Sequence, residues 1–151
     1  MKRHFLLGFI ILFTAGVIGC VPNKFKFDKE FGSVGSKPGE FSNPTDMEIT
    51  PDEDIVISDT GNNRFQILAS DDGSSKLVGG EYGTKGFQLQ AVSGIGVNSV
   101  TGDIIVCDVK GNKLVRFDKN GAPKLKITEK VRGPLDAAFD NLGNIYVIMG
   151  K

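Results

Sequence analysis

One histidine, His4, two cysteines and no tryptophan occur in the 151 residues of this chain. Lys and Arg balance Asp and Glu at 18 each, so no excess of basic charge argues for nucleic acid as a partner. After Pro22 no stretch keeps a helical period. With 40% hydrophobic and 24% charged residues the chain can nevertheless bury a core, and its length suits one domain. What it has in excess is glycine, 20 residues, roughly twice the usual share of about 7%.

Lys2 and Arg3 precede an uncharged run from Phe5 to Gly19, and the next charge is Lys24. A bilayer-spanning helix needs about 20 apolar residues. This run has fifteen and ends in small residues ahead of Pro22, which fits a cleaved export signal better than a permanent span, although an uncleaved anchor satisfies the same pattern. Val17, Ile18, Gly19 and Cys20 resemble the lipobox of bacterial lipoproteins. That resemblance implies a signal peptide over residues 1–19, acylation of Cys20 as the first mature residue, and a short tether over 20–24. It places the protein in the cell envelope, lipid-anchored and extracytoplasmic, with Val21 pointing to the outer membrane where a cell has two.

Loss of residues 1–19 removes His4 and leaves 16 basic and 18 acidic residues, a net charge of −2. Ser-His-Asp and Cys-His nucleophiles, like most catalytic zinc sites, require an imidazole, so no catalytic residue, metal or cofactor is expected. With Cys20 lipidated, Cys107 has no disulfide partner in the chain. It is expected as a small buried hydrophobe rather than a reactive thiol.

The mature sequence repeats. Asp54-Ile-Val-Ile-Ser-Asp59 recurs as Asp103-Ile-Ile-Val-Cys-Asp108, followed by Asn63-Arg64 or Asn112-Lys113, all at an offset of 49. Pro44-Thr-Asp-Met-Glu-Ile49 matches Pro134-Leu-Asp-Ala-Ala-Phe139 at an offset of 90, with Gly94-Ile-Gly-Val97 in the middle copy. Such periods suit a four-stranded propeller blade. Within each copy, short apolar runs alternate with turn chemistry: Asp71-Asp-Gly73 and Asn120-Gly121 signal hairpins, and Pro51, Pro123 and Pro134 fall at turns or strand starts.

Phe31-Gly32, Gly35, Gly39-Glu-Phe41, Pro44, Ile55 to Asp59 and Asn63-Arg64-Phe-Gln-Ile67 together resemble the NHL repeat, whose members form β-propellers. The fold expected is therefore all-β, a propeller of four-stranded NHL-type blades with six-bladed, TolB-like relatives. Residues 25–151 supply about two and a half to three blades, as copies near 32–80, 81–128 and an incomplete 129–151. A lone outer strand near Phe25 to Phe31, two full copies and two strands of a third are expected. The third copy departs from the pattern where Met149 stands in place of the closing Asp. Two readings follow: a truncated reading of a longer gene, favoured because a clean half-ring is the rarer product, or an arc that closes as a homodimer.

Asp59 and Asp108 are expected to end strands and accept turn N–H bonds, with Asn63 and Asn112 as turn residues. Arg64 and Lys113 are expected over a neighbouring blade as surface or ion-pair residues of small energetic value. Phe25, Phe31, Phe41, Phe65, Phe87, Phe117 and Phe139 read as core between blades. Asp46, Glu48 and Asp136 stand where inner strands would line a central channel, and they are the candidates for a ligand or cation entrance.

The function expected is a lipid-anchored extracytoplasmic propeller, or a fragment of one, serving as a noncatalytic scaffold that binds an unidentified protein or glycan. The alternative is an NHL-type propeller enzyme, a lyase or hydrolase, whose catalytic part is missing from this chain. NHL-like lyases use metal-binding histidines on the channel, which this mature chain lacks.

Overall fold

A computed structural model of the chain describes residues 28–150; the expected signal peptide and tether, Cys20 and residues 25–27 lie outside them. The described chain opens on a lead-in loop in which β1 (Ser33–Val34) pairs in parallel with β2 (Glu40–Phe41). The outer strand expected near Phe25 to Phe31 does not extend over residues 28–31, which carry no strand. A single strand without inner strands beside it has no ladder to join.

The first blade follows as β3 (Asp46–Ile49), β4 (Ile55–Asp59), β5 (Arg64–Leu68) and β6 (Ser75–Gly79), antiparallel neighbours in that order. A second blade repeats the order with β7 (Val92–Val97), β8 (Ile104–Asp108), β9 (Lys113–Phe117) and β10 (Pro123–Ile127). The third copy contributes two strands, β11 (Pro134–Phe139) and β12 (Ile145–Met149). Both outer hairpins turn where the sequence marks them, at Gly73 (φ 72°) and Gly121 (φ 79°), positive angles that glycine adopts without a Cβ clash. Pro123 and Pro134 each open a strand.

Burial explains why the same motif reads differently in the two full blades. In β8 all five residues are buried, because this middle sheet is covered on both faces, and its apolar residues run without alternation. In β4, the equivalent strand, burial alternates, since one face meets the second blade and the other is open. The first seam packs Val56, Phe65 and Ile67 against Leu89, Val92, Ile95, Ile104, Val106, Val115 and Phe117. Phe65 and Phe117 meet edge to face with ring centroids 5.0 Å apart, a geometry that adds about 1 kcal/mol beyond the area buried. The second seam packs Ile105, Cys107 and Leu114 against Val131 and Ala137, with Phe139, Ile145 and Val147 partly buried beside them. Phe87 departs from the expected core role; it is 39% exposed on an outer groove beside β6 and β10.

The inner strands approach one another so closely that β7 needs glycine. A Cβ at Gly96 would lie 2.2 Å from the Ala137 carbonyl oxygen, and one at Gly94 would lie 2.6 Å from the Leu135 oxygen. Both obstacles are backbone atoms, so relief requires moving the whole β11 strand. Gly96→Ala is therefore expected to lower stability by about 2 kcal/mol, read as a shift in the urea midpoint. An unchanged midpoint would mean that the third copy does not pack on the second as described.

Candidate functional site

Each full blade is tied to its own lead-in loop by a buried carboxylate at the end of its second strand. Asp59, fully buried, accepts a hydrogen bond from the Ser42 backbone N–H (2.7 Å) on Oδ1 and from Arg64 Nε (2.7 Å) and Gln66 Nε2 (3.1 Å) on Oδ2. The guanidinium of Arg64 then donates to the carbonyls of Ser36, Lys37 and Glu40 at 2.7, 2.9 and 3.0 Å. Gln66 closes the set, donating to Glu40 O and accepting from Gly39 N–H. In the second blade Asp108 accepts from the backbone N–H groups of Gln90, Ala91 and Gly111, each at 2.9 to 3.0 Å, and pairs with Lys113, which donates to Gln88 O.

Arg64 and Lys113 are ion-pair residues, one of the two roles expected of them, but their place is corrected: they pair within their own blade and not over a neighbouring one. Their side chains are 13% and 6% exposed and work inside their own blade. The reason is the lead-in loop: its carbonyls point inward and need donors, and a cation beside the strand-end Asp supplies them. Asp108 does accept a turn N–H, that of Gly111, whereas the backbone partner of Asp59 comes from the lead-in at Ser42. Asn63 (φ 53°) and Asn112 (φ 49°) take the left-handed turn conformation, and Asn112 Oδ1 also accepts from Gly133 N–H at 2.8 Å. In the third copy Met149 occupies the Asp position, and its sulfur receives the Arg132 N–H at 3.4 Å, the counterpart of Ser42 in the first.

The inner strands are stitched across blades at their starts. Asp46 Oδ2 accepts from Ile95 N–H at 2.8 Å, Thr45 Oγ1 donates to Ser93 O at 3.3 Å, and Ser93 Oγ donates to Pro134 O at 2.9 Å. These hydroxyl contacts, like Gln66, were not singled out in the sequence. The one available signal was polar residues at equivalent strand starts, Thr45 and Ser93. Above the stitches opens a cleft of about 380 Å³ lined by Thr45, Asp46, Thr60, Ala91, Val92, Ser93, Gly94, Val109, Leu135 and Asp136.

Two of the three candidate channel acids, Asp46 and Asp136, thus line one cleft, from the first and third copies, with Gly94 between them. Glu48 is not among the lining residues but shares their field. Its carboxyl is held above the usual glutamate range, first by loss of solvent and then by the charges of Asp46 and Asp136. Burial also pushes the Cys107 thiol up to about 12, with Asp136 and Asp46 adding to the effect, so it is a protonated filler at neutral pH. Among the described residues no three His, Cys, Asp or Glu side chains come together to hold a metal ion.

No known family model matches the chain. Among curated proteins it is 28% identical over 130 residues to Protein brain tumor from Drosophila melanogaster, a match covering 85% of this chain and 12% of that protein. The fold resembles virginiamycin B lyase from Staphylococcus aureus (TM-score 0.56, 21% identity, 70% of this chain and 34% of that one). It also resembles Kuenenia stuttgartiensis hydrazine synthase (TM-score 0.60, 13% identity, 87% and 33%). The fold is of the β-propeller type, and the sequence is similar to an NHL-repeat protein. It spans about an eighth of the curated relative and about a third of these structural neighbours, whose low identities speak to the fold alone.

Two outcomes follow for this propeller arc. Arg64→Ala leaves the buried Asp59 without its cation and strips the lead-in carbonyls of donors, so unfolding free energy should fall by about 3 kcal/mol, measured by chemical denaturation; a change within error would make the clamp ornamental. Glu48 in the folded state holds its proton to higher pH than in the unfolded chain, so its contribution is fully present below the ordinary value of 4.5 and is lost as pH rises through the raised one. Glu48→Gln should therefore melt higher than the parent at pH 7 and lose that advantage at about pH 4, a comparison of thermal midpoints that a flat difference across pH would contradict.

Proposed function

We propose that this protein is a lipid-anchored, extracytoplasmic NHL-type propeller module that binds a protein or glycan without transforming it. Cys20 carries the lipid and residues 20–24 form the tether. The observation that supports the reading best is the cleft at the inner-strand starts, where Asp46 and Asp136 face a space with mostly apolar walls. Two carboxylates over apolar surface suit a ligand that presents a positive group on a hydrophobic or sugar scaffold, such as a lysine-bearing peptide or an amino sugar. Nothing in the cleft lining pairs a nucleophile with a base: its hydroxyls, on Thr45, Thr60 and Ser93, bond to one another, to the Ser58 hydroxyl or to backbone carbonyls.

A panel of amino-sugar and neutral glycans, with lysine-rich and acidic peptides, provides the test. The cationic members should bind, more weakly at high salt, and Asp136→Asn should weaken them by about tenfold. Equal binding of neutral and cationic members, or none at all, would end this reading.

The alternative, a propeller enzyme whose catalytic part lies beyond these residues, draws on the fold likeness to virginiamycin B lyase. Turnover of virginiamycin B by a longer protein that contains these residues, with none by this chain alone, would establish it in place of the binding role.

A further inference from the structure

The two full blades carry different charge along their outer hairpins. Residues 110–132 hold eight Lys or Arg against two acids, a net charge of +6, whereas the matching stretch one 49-residue period earlier, 61–83, holds two against three. Four of the eight cations, Lys113, Arg116, Lys119 and Lys124, already pair with aspartates. Lys126, exposed on β10, forms no ion pair among the described residues.

Beside Lys126 the second blade has a hollow that the first blade fills with its own side chains. In the first copy Arg64 spreads its guanidinium under the carbonyls of Ser36, Lys37 and Glu40, and Asn62 Nδ2 donates to Gly35 O at 2.9 Å. At the matching positions the second copy has Lys113, which reaches one lead-in carbonyl, that of Gln88, and Gly111, which has no side chain. Strand pairing sets Lys126 where the first blade has Val78, since it lies opposite Val115 as Val78 lies opposite Gln66. Thr128, two residues on, stands in the place of Gly80. The outcome is a cavity of about 180 Å³ whose walls include Thr84, Gly86, Gly111, Lys113, Lys126 and Thr128, with no carboxylate among the lining residues.

The donors in this cavity are not used up. The Lys113 side chain is 6% exposed; one of its three N–H groups goes to Gln88 O and another faces Asp108 at 3.4 Å, which leaves a third. Among the described residues the hydroxyls of Thr84 and Thr128 enter no hydrogen bond. Asp108 offsets the charge of Lys113, so Lys126 is the unbalanced cation. Two ammonium groups and two hydroxyls that converge from two loops and a strand suit an acceptor with oxygens in several directions, which a tetrahedral oxyanion offers and a planar carboxylate does not.

We propose that this hollow on the second blade binds a phosphate or sulfate group, with Lys126 as the charge that captures it and Thr84, Thr128 and Lys113 as the donors that orient it. The site shares no lining residue with the acidic cleft and takes a ligand of the opposite charge, so it stands whether or not the cleft binds a cation.

The full chain, isotope-labelled and held in a neutral detergent, is titrated with inorganic phosphate or sulfate at constant ionic strength, with chloride as the balancing ion. The amide resonances of Thr84, Gly86, Gly111 and Thr128 should shift and saturate. Lys126→Gln, on an exposed side chain, should weaken the fitted affinity by about tenfold and leave resonances elsewhere in place. Lys119→Gln removes the same charge at the opposite end of the hairpin and should change the affinity by less than about twofold. Hexose phosphate and glycerol phosphate then distinguish the sources of the group: tighter binding of the first assigns it to a glycan, of the second to a lipid headgroup, and equal binding to the free ion. Shifts that never saturate, shifts that chloride reproduces, or an equal loss in both variants would reduce the hollow to general surface charge and overturn the proposal.

Discussion

The buried carboxylate at the end of the second strand is the interaction on which the blades depend. A propeller blade is a small sheet approached by a long connection from its neighbour, and that connection carries backbone polar groups into a region from which water is excluded. Asp59 and Asp108 answer the inward-pointing N–H groups, while Arg64, Gln66 and Lys113 answer the carbonyls. An aspartate buried at this position is tolerable only because it is paired and fully hydrogen-bonded, and removing either partner exposes the desolvation cost of the other. The lead-in, once fastened, delivers Phe41, Leu89 or Val131 to the backward face of its blade, and all three are buried.

Packing of blade on blade then decides the geometry of the cleft. The forward and backward faces interlock through large apolar side chains at mid-sheet, whereas at the inner strands Gly94 and Gly96 let backbones touch. Close approach brings Asp46 of the first copy and Asp136 of the third to one opening, across an inner strand that has no side chain at Gly94. It also withdraws solvent from Glu48 and Cys107, and the charges of Asp46 and Asp136 add to the rise of both groups. The acids near the cleft are thus a consequence of the same seams that hold the sheets together.

Much of the fold was legible in the chain because propeller repeats place identical chemistry at a fixed period. The 49-residue offset aligns Asp59 with Asp108 and Asn63 with Asn112, and the structure gives each pair the same strand end and the same left-handed turn. The ion pairs of Arg64 and Lys113 were foreseen but their place was not, because a cation beside an Asp looks the same in sequence whether it meets water or the carbonyls of its own lead-in loop. Gln66 was passed over for a similar reason: within β5 it breaks an apolar run, and only the arrival of Glu40 and Gly39 above it gives that break a purpose. The missing strand at residues 28–31 has the opposite origin, since a sound strand pattern forms no ladder without a partner.

By itself the sequence determined the local alphabet: which residues alternate, where glycine permits a turn, where a blade begins and repeats, and that Met149 breaks the closing pattern. These are properties of neighbours within a few residues, or of a period, and both survive in one dimension. The tertiary structure decided which face of each sheet is covered, which charges are buried, and which two acids share an opening. Those outcomes depend on contacts between residues some 40 to 90 positions apart, such as Asp46 with Ile95 and Ser93 with Pro134. Distance along the chain carries no information about desolvation, and desolvation sets the value of every polar contact in this protein.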